Sequence, residues 1–90
     1  MKSLVAAFKA LKSVMTGQVV GQMDSLANNG VTVMSVRLKK DRNTYYVVLA
    51  QLSSGNSQYV SFTTEEFGQF VDSVNVVRES LNQHIAEASS

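Results

Sequence analysis

The sequence predicts an α+β fold: an antiparallel β-sheet followed by a long C-terminal helix, with an extra N-terminal helix. Three observations predict it. Residues 31–63 hold three runs dense in Val, Tyr and Thr, broken by short stretches of turn formers. Residues 64–86 carry apolar positions at helical spacing behind a capping signature. Residues 4–15 carry a second apolar stripe of the same period.

The N-terminal stripe is Leu4, Phe8, Leu11 and Met15, with Lys2, Lys9 and Lys12 on the opposite side. This divides the chain into an amphipathic helix over 1–16 and a domain over 17–90. Residues 17–27 read two ways. Val19, Val20, Met23, Leu26 and Ala27 have helical spacing, and Asn28-Asn29-Gly30 would stop a helix. Gly17 and Gly21 oppose a helix, and Gln18 to Met23 equally suit a short strand.

The strands expected next are Val31–Lys39, Thr44–Leu52 and Gln58–Thr63, an antiparallel meander joined by short loops. Pairing Lys39 with Thr44 puts Met34, Val36 and Leu38 on one face with Tyr45, Val47 and Leu49. Pairing Leu52 with Tyr59 adds Val60 and Phe62. That apolar face is expected to be dry and covered by the last helix. The other face carries Ser35, Arg37, Lys39, Tyr46, Val48, Ala50, Tyr59 and Ser61, and no acid. Lys40 and Arg42 are placed in the turn at its rim.

The last helix has a clear start. Thr63 and Glu66 match the S/T-x-x-E capping box, and Phe62 with Phe67 matches a hydrophobic staple. Phe67, Phe70, Val71, Val74, Val77, Leu81 and Ile85 then share a face, while Val76 points the other way. Residues 86–90 are expected to fray.

Composition limits the function. The chain has 90 residues, so its own core is marginal. It has no cysteine, which removes a thiolate metal site and a cysteine nucleophile. His84 is the only histidine, near a helix end where the dipole favours it. No phosphate-binding loop or nucleophile motif occurs, so neither an enzyme nor a cofactor is expected. No apolar run approaches the roughly 20 residues of a membrane span. Residues 1–42 hold seven basic and two acidic residues, whereas residues 43–90 hold one basic and five acidic. This asymmetry suits an anion-binding face, or two complementary surfaces.

A family resemblance rests on particular residues. The stretch Tyr59-Val60-Ser61-Phe62-Thr63-Thr64-Glu65-Glu66-Phe67 resembles the last strand and capped helix of the transcriptional positive cofactor four family. Val74 and Val76-Val77-Arg78-Glu79-Ser80-Leu81 sit where that helix continues. Ser35-Val36-Arg37-Leu38-Lys39-Lys40 resembles the family's basic second strand and turn. The resemblance implies a curved sheet of four strands, the first drawn from about Gln18 to Met23. It also implies a dimer that binds single-stranded DNA through its sheets. The family's acidic and lysine-rich tails are missing, which points to bacterial or phage members.

The expected function is binding of single-stranded DNA, with RNA as the alternative strand, without strong sequence preference. The setting would be transcription, replication or recombination, in the cytoplasm of a bacterium or phage-infected host, or the nucleus if eukaryotic. Arg37, Lys39, Lys40 and Arg42 are the candidate phosphate contacts, and Tyr46 and Tyr59 the candidate stacking rings. A homodimer is expected independently, because one small sheet face is too small for two apolar stripes. The rival from another class is a small dimeric adaptor or chaperone that holds a protein segment on the same sheet. A third reading places Lys2, Lys9 and Lys12 on a membrane surface.

Overall fold

The computed structural model describes residues 17–89. It contains strands β1 (Gln18–Ala27), β2 (Thr32–Asp41), β3 (Thr44–Ser53) and β4 (Asn56–Thr63), followed by helix α1 (Thr64–Ser89). The strands form one antiparallel sheet in the order β1-β2-β3-β4. The α+β class expected from the sequence is therefore the observed one. The helix expected over 1–16 lies outside the described residues. The final helix runs to Ser89, past the point where fraying was expected.

The ambiguous segment is a strand. Its alternation places Gln22 and Asp24 on one face and Met23 on the other, and the helical spacing of Val19, Val20 and Met23 goes unused. The turn that follows decides the matter. Asn28, Asn29 and Gly30 all adopt left-handed backbone, at φ 53°, 55° and 86°. Asn and Gly accept this conformation at least cost, and it reverses the chain into β2.

The other two connections are tighter than expected. Asp41 pairs with Thr44, and Ser53 with Asn56, leaving two-residue turns at Arg42-Asn43 and Ser54-Gly55. Both turn centres lie one residue from their expected positions. Lys39 consequently pairs with Tyr46 rather than Thr44, and Leu52 with Ser57 rather than Tyr59. Each register is displaced by two residues, a full pleat period, so every side chain keeps its face.

The helix begins as its sequence dictates. The Thr63 backbone N–H donates to Glu66 Oε1 at 2.9 Å, and the Glu66 N–H donates to Thr63 Oγ1 at 3.1 Å. Two of the helix's orphan donors are thereby satisfied. The Phe62 ring lies 6.1 Å from Phe67 and 5.2 Å from Phe70, centre to centre. These contacts lock the first turn to β4.

Burial differs from expectation. On the helix side Val47 is buried, yet no residue of α1 is. Most of the buried side chains lie on the opposite face: Ser35, Lys39, Tyr46, Val48 and Ala50. An open apolar groove of about 370 Å³ remains on the helix side, lined by Gly21, Met23, Val36, Leu38, Val47 and Phe67 among others. No helix among the described residues is long and apolar enough to cross a membrane.

Candidate nucleic-acid interface

The cross-strand register assembles the candidate face in rows. Asp24, Ser35, Ala50 and Tyr59 form one row across all four strands. Gln22, Arg37, Val48 and Ser61 form the next, and Val19, Lys39, Tyr46 and Thr63 the third. Arg37, Lys39, Tyr46 and Tyr59 are thus brought together on one face, as expected from the alternation.

Two expectations need correction. The face is not free of acid, because β1 brings Asp24 onto it opposite Ser35. Lys40 is not in the turn. It is the penultimate residue of β2, paired with Tyr45, and its Nζ lies 5.6 Å from the Tyr45 ring centre. The shortened turn draws Lys40 into the ladder, and alternation turns it toward the helix side. Arg42 does occupy the turn, with left-handed backbone at φ 61°.

A polar network ties the first two rows together. Arg37 Nε donates to Ser35 Oγ at 3.1 Å. The Ser35 hydroxyl serves the Asp24 carboxylate, and Gln22 Nε2 donates to the same carboxylate at 3.1 and 3.3 Å. The Ser35 hydroxyl and then the Gln22 amide hold the Asp24 carboxyl below its usual 3.8, against an opposing effect of desolvation, with the Arg37 charge as the least of the lowering causes. Arg37 is therefore positioned by Ser35, and its charge is partly offset by Asp24. Neither Asp24 nor Gln22 was singled out in the sequence, because their face depended on an undecided strand.

The third row is closed over. Lys39 retains 6% exposure and Tyr46 7%. The Lys39 Nζ lies 6.0 Å from the Tyr46 ring centre. Burial, reinforced by repulsion from Arg37, lowers the Lys39 pKa from 10.5. Burial and the Asp41 charge raise the Tyr46 pKa from 10.0, while a hydrogen bond from the Gly17 backbone works the other way. Gly17 lies so close that a β-carbon there would overlap the Tyr46 hydroxyl and sit 3.2 Å from Lys39 Cε. Only glycine fits this approach.

The tyrosine pair reverses its expected roles in packing. Tyr45 lies on the helix side and Tyr46 on the other, as expected, but Tyr45 is 47% exposed and Tyr46 is buried. The reason is positional. The β3–β4 ladder begins at the Tyr46–Thr63 pair, so Tyr45 has no β4 neighbour where the chain turns into α1. Tyr59, on the edge strand β4, is well exposed. The candidate residues that remain accessible on this face and its turn are Arg37, Arg42 and Tyr59, while the half-buried Lys40 lies on the helix side. Among the described residues no three His, Asp or Glu side chains come together as a metal site would require. No family model, no curated protein and no solved structure matches this chain.

Proposed function

We propose that the protein binds single-stranded DNA through the sheet face opposite α1, without strong sequence preference, as a homodimer. This reading extends the resemblance to the transcriptional positive cofactor four family and its setting in transcription, replication or recombination in a bacterial or phage-infected cytoplasm. The observation that carries it is the convergence of Arg37, Lys39, Tyr46 and Tyr59 on one face, with Arg42 in the turn at its end. Arg37 and Arg42 supply the phosphate contacts, and Lys39 adds positive potential from beneath. Tyr59 offers a flat ring on which a base of any identity stacks. Tyr46 supports the face from within.

Fluorescence anisotropy with single-stranded and duplex oligonucleotides at two salt concentrations tests this. Preferential, salt-weakened binding of the single strand supports it. Equal or absent binding at low salt overturns it.

A second reading has its own observation. Lys39 and Tyr46 are enclosed, whereas much of α1's apolar surface is open. A small adaptor that holds a protein segment fits that distribution, and such a protein binds no oligonucleotide at any salt concentration.

A further inference from the structure

The middle of the face opposite α1 is enclosed, and no described element lies over it. Ser35 and Ala50 are 0% exposed and Val48 1%. They sit mid-sheet on β2 and β3, whereas α1 packs on the other side, where Phe67 and Phe70 meet Phe62. The sheet alone does not explain this, because an uncovered antiparallel face leaves its Val and Ala side chains open to water. The enclosure is that of a single copy, so the cover belongs to the same chain. Outside residues 17–89 that chain has only residues 1–16 and Ser90. We propose that residues 1–16 lay their apolar stripe along the middle of this face, and that a nucleic-acid strand bound there displaces them.

The face offers the stripe an apolar lane. Alternation sets Tyr46, Val48, Ala50 and Leu52 in line along β3, with Val33 paired beside Leu52. The lane runs about 20 Å from Tyr46 to Leu52, at the rise of an antiparallel strand. As the helix that its spacing predicts, Leu4, Phe8, Leu11 and Met15 span about 16 Å, so the stripe fits within the lane. Ser35 and Ala50 stand opposite each other in the ladder, and their small side chains leave room for a bulky one such as Phe8. With the stripe against the sheet, Lys2 and Lys9 face water, away from Arg37.

The chain also arrives at the right place. Gly17 lies against the Tyr46 hydroxyl and Lys39 Cε, on the enclosed face and at one end of the lane. The sixteen residues before it therefore start at Tyr46, with Met15 nearest and Leu4 toward Leu52. The groove on the helix side, lined by Met23, Leu38 and Phe67 among others, is open.

The cover stands on packing alone, whereas its displacement rests on the proposed nucleic-acid binding. The chain has no cysteine, so a nitroxide attached at Lys9→Cys is the single label on the full chain. It should erase the methyl NMR signals of Val48 and Ala50 and spare those of Val77 and Ile85 in the later turns of α1. Adding Phe8→Asp to the labelled chain should restore Val48 and Ala50, and Ser13→Asp, away from the stripe, should not. Greater loss at Met23 and Leu38 than at Val48 would seat the stripe in the groove instead and overturn the cover. No loss at any of these methyls would overturn it too. Short oligothymidine at low salt should also restore Val48 and Ala50. Oligothymidine that binds by anisotropy without restoring them overturns the displacement. Oligothymidine that does not bind overturns the nucleic-acid reading and the displacement with it, while the signal loss still upholds the cover.

Discussion

Lys39 and Tyr46 stand directly opposite each other in the β2–β3 ladder, with the ammonium 6.0 Å from the ring centre and both side chains enclosed. A cation and a phenol placed for ligand contact would normally be open to solvent. Here they form part of the interior, and the accessible candidate residues of their face lie in the other two rows and in the turn.

The two neighbouring tyrosines should therefore separate cleanly. Tyr46→Ala should cost about 3 kcal/mol of stability, the scale of a buried aromatic truncation. Tyr45→Ala should cost well under half of that. Denaturant midpoints measure both. In an alkaline absorbance titration the Tyr46 phenol should ionise above 10.0, and Tyr46→Phe should remove its transition.

Gly17→Ala should destabilise the same corner, because its methyl group would meet the Tyr46 hydroxyl. Combined with Tyr46→Ala, the substitution should cost much less than it does alone. A double-mutant cycle with a coupling near zero would place the clash elsewhere.

The helix cap is a separate element. Thr63→Ala removes the oxygen that receives the Glu66 N–H and should cost about 0.5–2 kcal/mol. The Phe62 contacts join β4 to α1, so the loss should appear in a single global transition. An unshifted denaturation midpoint would contradict this.

Two accessible cations on this face and its turn, Arg37 and Arg42, predict a shallow salt dependence. Log K against log salt should have a slope of roughly −1.4, from about −0.7 per single-strand phosphate contact. Arg42→Gly removes a cation where the backbone is left-handed, so it should halve the slope without loss of stability. Lys40→Ala, on the helix side, should leave the slope unchanged. A slope near −3 would mean that Lys39 and Lys40 also reach phosphates.

Asp24 links the face to pH. Its carboxyl is held below 3.8 in the folded state, so its contribution to stability is present above 3.8 and is lost as the pH falls through the folded value. NMR titration should place its midpoint below 3.8, and Ser35→Ala should move it up toward 3.8. A midpoint that Ser35→Ala does not move would assign the effect to another group.

The sequence was most legible where a contact is local. Thr63, Glu66, Phe62 and Phe67 lie within six positions, and their arrangement follows from helix geometry alone. The faces of β2, β3 and β4 were legible for a different reason. Alternation has a period of two, so moving both turn centres by one residue displaced the pairing without turning any side chain over. β1 was not legible, because two glycines and a mixed pattern left its periodicity undecided, and Asp24 and Gln22 stayed hidden with it. The enclosure of Tyr46 was not legible either. It depends on where β4 ends and on Gly17 packing against residues far along the chain, and alternation carries no record of either.

The irregularity in β1 bears on how copies of this sheet can associate. Val19 pairs with Lys39 but Gly21 pairs with Leu38, so Val20 is an extra residue in β1, an edge strand among the described residues. An edge strand of ten residues is an open template for another chain to add to. The bulge interrupts that template. A strand arriving from outside finds regular spacing only along residues 21–27 and falls out of step beyond them. Growth of the sheet from copy to copy along this edge is hindered, which favours closed assemblies over fibres.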